Sequence, residues 1–333
     1  MTRRPTRLRQ IVDRFSSVRM VVAGDLIADE FIYGRIDRVS REAPVLILKY
    51  DSTEILPGGA GNAANNAATL GARVTVVGVA GQDDAGDRML QALDACSDVK
   101  GVVRPSGYAT PVKTRILAGG IHSAKQQVVR VDRAGGALTT ATVRQVEQAL
   151  TRAIRTADVV VISDYGSRLI TPESWRRAFT AAKRSSPPLV LVDSRYGLTG
   201  FTGLTACTPN ESEVEALLGV RIGDDREILE RAGRTLLGTI ACRAVLVTRG
   251  SRGMALFQAG VPTDHIPIVG SDQVTDVTGA GDTVIATFAL ALATGASFVD
   301  AARVANHAGG IVVMKRGTAT ATPDELLASL EEA

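Results

Sequence analysis

The tetrapeptide Gly279-Ala280-Gly281-Asp282 lies between a polar run, SDQVTDVT (271–278), and an apolar run that reads as a helix over 282–294. Small residues at a helix start leave its first backbone N–H groups open, and those donors with the positive end of the helix dipole make an anion site. Gly279, Ala280 and Gly281 are therefore placed to hold charge developing on a phosphoryl group. An aspartate there can take a proton from a hydroxyl attacking the same phosphorus. The alternative for Asp282 is a first-turn acid that only complements the helix end. A second cluster, Gly59-Ala60-Gly61-Asn62-Ala63-Ala64, mimics a dinucleotide fingerprint but follows STEILPG, which does not read as a buried strand. A Walker A loop is excluded because the chain contains no Gly-Lys pair. His122, His265 and His307 are isolated and give no metal-ligand spacing. Cys96, Cys207 and Cys242 form neither a disulfide framework nor a zinc knuckle, which suits a reducing, cytoplasmic setting.

These groups need a scaffold, and the chain supplies a legible one. Apolar, β-branched runs at 18–24, 72–79, 157–163, 188–193 and 243–249 alternate with helical patterns. Strands apolar throughout belong to a parallel sheet covered on both faces by helices. Residues 141–155 follow the cap-like Thr139 and Thr140, and 172–184 open with Pro172 after Thr171. Residues 31–50 and 111–131 break the alternation and read as short antiparallel strands, a small β-layer inserted beside the main sheet. With 333 residues, 45% apolar, 22% charged and 4% aromatic, the chain is long enough for a full core and unlike disordered or fibrous sequences. One domain with an insertion is expected over 1–333, since no linker, repeat or low-complexity tract divides it. The longest helical apolar run, Val284 to Ala293, is about half of the ~20 residues that span a bilayer. The net charge of +3 is uneven: residues 1–20 carry six arginines against Asp13, so the remainder is near neutral. An Arg-rich start is compatible with a nucleic-acid arm or presequence, but Leu8, Ile11, Val12 and Phe15 give it an apolar stripe to dock as a leading helix.

The run DVTGAGDT (276–283) resembles the C-terminal signature of the ribokinase-type (PfkB-type) sugar kinases. Their N-terminal Gly-Gly signature is similar to PGGAGNAANNAATLG (57–71), and their TPNxxE element to Thr208-Pro209-Asn210-Glu211-Ser212-Glu213. Within the family, GDLIADEFIYG (24–34), SREAPVLILK (40–49), SDYG (163–166) and LVTRGSRGMAL (246–256) resemble the heptose-7-phosphate kinases of ADP-heptose synthesis. The resemblance implies an α/β, ribokinase-like three-layer α/β/α fold with a mostly parallel sheet and a β-sheet lid near 31–50 and 111–131. It implies ATP-dependent phosphorylation of a sugar hydroxyl, foremost C1 of D-glycero-D-manno-heptose 7-phosphate, for lipopolysaccharide or surface-glycan precursors. The alternative is another sugar or nucleoside kinase of the family. A dinucleotide-dependent oxidoreductase is disfavoured for want of a strand-linked fingerprint.

Residue roles follow from the same likeness. Asp282 is the expected general base and Gly279, Ala280 and Gly281 the anion hole. Asp29, Gly58, Gly59 and Asn62 are expected to meet the sugar, and Lys113 and Arg115 a phosphate when the lid closes; Lys125 and Arg130 are further basic candidates. Alternatively these are a surface acid, a tight turn and a solvated charged face. Asn210, Thr248, Arg249, Gly250, Gly253 and Asn306 are expected on the ATP side. Glu213 is expected to order Mg2+ through water, one helical turn from Asn210 and on the same face; its bland reading is a solvated acid. A monovalent cation is a further implied cofactor. The implied partners are a second copy bound through the lid and a separate nucleotidyltransferase acting downstream, since the length has no room for one; no nucleic acid or membrane is implied. Where the heptose kinases read SDYGKG and DPKG, this chain has Ser163-Asp164-Tyr165-Gly166-Ser167-Arg168 and Asp193-Ser194-Arg195-Tyr196, departures that bear on the acceptor rather than on phosphoryl transfer.

Overall fold

The computed structural model describes residues 7–119, 125–270 and 275–331. Among them, thirteen strands form two sheets. In chain order these are β1 (Arg19–Gly24), β2 (Leu26–Val39), β3 (Leu46–Gly59), β4 (Arg73–Val79), β5 (Asp98–Val103), β6 (Val112–Gly119) and β7 (Gln126–Arg133). There follow β8 (Val159–Asp164), β9 (Leu189–Ser194), β10 (Ala206–Cys207), β11 (Ala244–Thr248), β12 (Met254–Gln258) and β13 (Asp264–Ile266). The main sheet runs β13-β12-β11-β10-β9-β8-β1-β4-β5, antiparallel at β11–β12 and β12–β13 and parallel elsewhere.

Neighbouring side chains on a strand point to opposite faces, so an all-apolar strand feeds two cores. Val22, Val161 and Leu191 pack with the helices Ala60–Thr69, Ala280–Ala293 and Phe298–Val312 on one face. Val21, Val160 and Val192 pack with the helices Thr140–Ile154, Pro172–Ala182 and Arg226–Ile240 on the other. The five expected strands are β1, β4, β8, β9 and β11. Thr139 caps its helix through Thr142 N, and Thr171 forms a capping box with Ser174, with Pro172 at the first helical position.

The leading helix is short, Arg7–Val12, followed by a 3-10 turn at Phe15–Ser17; Ile11, Val12 and Phe15 are buried. Arg7 pairs with Asp300 at 2.9 Å and Arg19 with Asp158 at 2.7 Å, so described members of the basic segment neutralise acids of the body. No described helix is long and apolar enough to cross a membrane.

The second sheet, ordered β3-β2-β6-β7, corrects one expectation. The strands within each stretch pair antiparallel as expected, β2 with β3 and β6 with β7, but residues 31–50 are the outer parts of two 14-residue strands rather than short ones, and the two hairpins join through a parallel β2–β6 pair. The reason is that β2 follows β1 after Asp25 alone: its root, Leu26 to Ala28 with Phe31, is buried, while its far end is exposed. His122 lies outside the described residues.

Candidate active site

The chemistry gathers at the carboxyl ends of the parallel strands, the usual ligand edge of such a sheet. The helix Ala280–Ala293 starts from Gly279, whose φ of +78° is a left-handed conformation that favours glycine. A Cβ on Gly279 would also overlap the Asn62 amide. Asp282 falls in the first turn and is 3% exposed. Asn62 Nδ2 donates to its Oδ2 at 2.9 Å, and the Tyr165 hydroxyl donates to its Oδ1 at 3.0 Å. Burial is the main reason the Asp282 carboxyl is pushed up to about 6, with the charge of Asp29 adding to it, against the two hydrogen bonds and Lys113. That is a carboxylate poised to accept a proton near neutral pH.

Asn62 is buried in the first turn of the helix Ala60–Thr69. Its amide also reaches Gly279 O at 3.3 Å, and its Oδ1 accepts from Asn66 Nδ2 at 3.0 Å. Asn66 Oδ1 in turn accepts from Thr283 Oγ1 at 2.9 Å. Instead of lying open toward a sugar, Asn62 holds Asp282. Gly59 supplies the left-handed residue (φ +57°) before that helix.

Asp29, on β2, forms a buried ion pair with Arg115 on β6 at 2.6 Å. Gly58, on the neighbouring β3, is where a Cβ would overlap the Asp29 carboxylate. Arg115 is thus committed to Asp29, while Lys125 pairs with Asp51 and Arg130 with Asp132, each at 2.6 Å. Lys113 keeps no ion pair among the described residues: its amine lies 4.7 Å from the Tyr165 ring, and burial and Arg195 push its pKa down.

Beside Asp282 opens a polar cleft of about 230 Å³ lined by Asp193, Arg195, Asn210, Glu213, Thr248 and Gly281. Asn210 and Glu213 form a reciprocal capping box, each accepting from the other's backbone N–H at 2.9 Å. This corrects their placement on one helical face, because Asn210 precedes the helix Glu211–Leu218. The Glu213 carboxyl is raised by burial, and that of Asp193 is held well above its usual range by burial and the nearby Glu213 and Asp282. Acids crowded in this way favour a cation or a bound proton. Among the described residues no three His, Cys, Asp or Glu side chains make a ready metal-ligand set.

An adjoining apolar cleft is lined by Met254, Ile268, Val269, Val284, Asn306 and the glycines 250 and 253. Asn306 donates to Pro267 O at 2.7 Å and so anchors the wall. Arg249 does not line it: its guanidinium donates to Glu211 at 2.6 Å and to Gly223 O at 2.8 Å, because β11 ends against that helix start. Sequence reasoning assigned no role to Tyr165, Asp25 or Asp193. Their signal was position, at the ends of β1, β8 and β9 beside the glycine-led helix.

Comparison with known proteins agrees with this arrangement. Residues 25–325 match the model of the pfkB family of carbohydrate kinases. The chain is 38% identical over 325 residues to the bifunctional protein HldE of Trichlorobacter lovleyi, covering 97% of this chain and 65% of that protein. It is 39% identical over 316 residues to HldE of Geobacter sulfurreducens, covering 94% and 63%. It thus spans a little under two thirds of the length of these relatives. The structure of Arabidopsis thaliana ribokinase complexed with ribose and ATP superposes with a TM-score of 0.72 at 22% identity, over 94% of this chain and 99% of that one. Phosphofructokinase-2 of Escherichia coli in complex with potassium gives 0.74 at 20%, over 95% and 99%, so the fold is shared with both. A family match over residues 25–325, on a chain whose glycine-led helix carries a buried, raised aspartate beside a polar and an apolar cleft, makes this protein a member of the pfkB family of carbohydrate kinases.

Proposed function

We propose that the chain transfers the γ-phosphoryl group of ATP to C1 of D-glycero-D-manno-heptose 7-phosphate, giving the 1,7-bisphosphate. The chemistry rests on one observation, the buried Asp282 whose oxygens each accept one fixed donor beside the start of the helix Ala280–Ala293. Asp282 takes the proton of the acceptor hydroxyl as its oxygen attacks the phosphorus. The first-turn backbone N–H groups after Gly279 hold the charge on the transferred group, and ADP leaves toward the apolar cleft. Asp29, paired with Arg115 at 2.6 Å, offers acceptor oxygens to the sugar hydroxyls. The crowded acids Asp193 and Glu213 fit a cation nearby, with Glu213 reaching Mg2+ through water. Bound with ATP, Mg2+ supplies charge neutralisation. The small sheet serves as the lid, and its exposed Ile36, Val39, Leu46, Val129 and Val131 support pairing with the lid of a second copy.

The heptose assignment is supported by the motif runs shared with the heptose kinases and by the identity to HldE. A kinase assay with ATP and Mg2+ against a panel of sugars and sugar phosphates tests it. Turnover of the 7-phosphoheptose above all others is expected; turnover of another sugar with none of the heptose would replace it with the second reading, a different acceptor. That reading draws on Ser167 and Arg195 standing where the heptose kinases carry lysine.

A further inference from the structure

Tyr165 lies in the SDYG run but has no role in the reaction as set out above, yet it touches three charged groups of the site. Its hydroxyl donates to Asp282 Oδ1 at 3.0 Å, while its ring lies 4.7 Å from the Lys113 amine and 4.5 Å from the Arg195 guanidinium. Lys113 comes from β6 of the small sheet and Arg195 from the end of β9, so one phenol touches both sheets and the proposed base. We propose that Tyr165 is a positioning residue: its O–H orients the Asp282 carboxylate and its ring holds Lys113 and Arg195 beside the phosphoryl group in flight. This rests on Asp282 being the base.

Three features carry the argument. The turn bearing Tyr165 is pinned, because the Asp25 carboxylate accepts from Tyr165 N at 2.8 Å, from Ser167 N at 3.1 Å and from Ser167 Oγ. Asp164 holds the same turn from the other side, accepting from Gly166 N at 2.9 Å and from Ser194 Oγ at 2.6 Å. Second, a carboxylate with one fixed donor on each oxygen cannot rotate, and its remaining lone pairs face a defined direction. The Asn62 bond alone would leave it free to swing about that contact. Third, neither Lys113 nor Arg195 has an ion pair among the described residues, and two like charges against one ring repel until an anion arrives between them.

The phenol keeps its proton at working pH, since burial and the charge of Asp282 push its pKa well up. The charged or titratable groups around Asp282 are Asp29 and Lys113 from the small sheet, Asp164 and Tyr165 at the end of β8, Asp193 and Arg195 at the end of β9, and Glu213 from the helix Glu211–Leu218. Of these Tyr165 alone donates a hydrogen bond to it.

The test is steady-state kinetics of the full chain with ATP, Mg2+ and D-glycero-D-manno-heptose 7-phosphate, or the sugar from the panel that is turned over. The variants are Tyr165→Phe, Tyr165→Leu and Asp282→Asn, with 3-fluorotyrosine placed at 165 as a stronger donor of the same shape. Tyr165→Phe should lower kcat by about 10–100-fold with KM values within twofold, and move the acid limb of kcat/KM up by roughly half a pH unit or more. Fluorotyrosine should move that limb down. Tyr165→Leu should share the loss in kcat and also raise KM for ATP about fivefold or more, because Lys113 and Arg195 lose their ring. Phe and Leu variants alike in every constant, or a limb that moves the same way for Phe and fluorotyrosine, overturn the proposal. If Asp282→Asn keeps near-normal turnover, the base assignment is what fails; if Asp282→Asn is inactive while Tyr165→Phe matches the parent, the positioning role alone fails.

Discussion

Asp282 carries a charge that its surroundings oppose, and that cost is measurable. Its folded pKa, about 6, stands above the 3.8 of a free aspartate, so the native state binds this proton more tightly than the unfolded chain does. The group's contribution to stability is therefore fully present below about pH 4 and is lost as pH rises through 6, a swing on the order of 3 kcal/mol. Asp282→Asn removes that dependence, and an amide still fits: its oxygen can accept from Asn62 while its NH2 donates to the Tyr165 oxygen. Denaturant melts at pH 5 and pH 8 should show the variant gaining stability relative to the parent at the higher pH. Its kcat should fall by about 10²-fold or more. The parent's kcat/KM should rise with pH through an acid limb near 6; a profile flat from pH 5 to 8 would remove Asp282 as the titrating base. Gly58→Ala tests the other carboxylate, because the added methyl would overlap Asp29 and strain its bond to Arg115. We expect kcat/KM for the acceptor to drop about 10–100-fold with KM for ATP little changed, as read in initial rates at saturating ATP.

Strand ends and helix starts decide which charged side chains reach a ligand. β11 ends against the helix Glu211–Leu218, so Arg249 closes that junction through Glu211 and Gly223 O, and Arg252 reaches Glu211 as well. Arg249→Ala should cost about 1–3 kcal/mol in a urea melt, less than an isolated buried pair because Arg252 still faces Glu211. KM for ATP should stay within twofold; a tenfold rise without loss of stability would return Arg249 to the nucleotide. The same logic makes Asn210 and Glu213 first a cap and then a cleft wall. Their box fixes the helix start that aims Glu213 at the polar cleft.

For the whole molecule, two sheets divide the work: the main sheet buries both faces and carries the clefts, and the small sheet is rooted in the core and exposed at its far end. All of β7 is exposed, with Val129 at 50% and Val131 at 47%. Apolar residues grouped on an open sheet face are a cost in a monomer and a gain across a self-complementary interface. Val131→Lys should shift the sedimentation of the purified protein toward the monomer while the melting temperature of the protomer stays close to that of the parent. A parent that sediments as a monomer at micromolar concentration would remove the paired lid.

The sequence by itself determined the elements and the glycine-led helix start at Gly279. Alternation of β-branched runs with capped helices depends on residues within one or two turns of each other, and Thr171, Pro172 and Gly279 act through their own backbone. It also singled out Asp29 and Asp282 through their motifs, and both are buried in the fold. Partner choice was decided only by tertiary structure. Asn62 lies 220 residues from Asp282, Tyr165 117 residues from it, and Arg115 86 residues from Asp29. The Asp29–Arg115 pair follows from the β2–β6 pairing, and the two contacts to Asp282 from the packing of the helix Ala280–Ala293 against the helix Ala60–Thr69 and β8, non-local facts that no spacing encodes. That is why Arg249 and Arg115 look like ligand cations in the chain and pair with buried carboxylates in the fold, while Tyr165, given no role from the chain alone, meets Asp282.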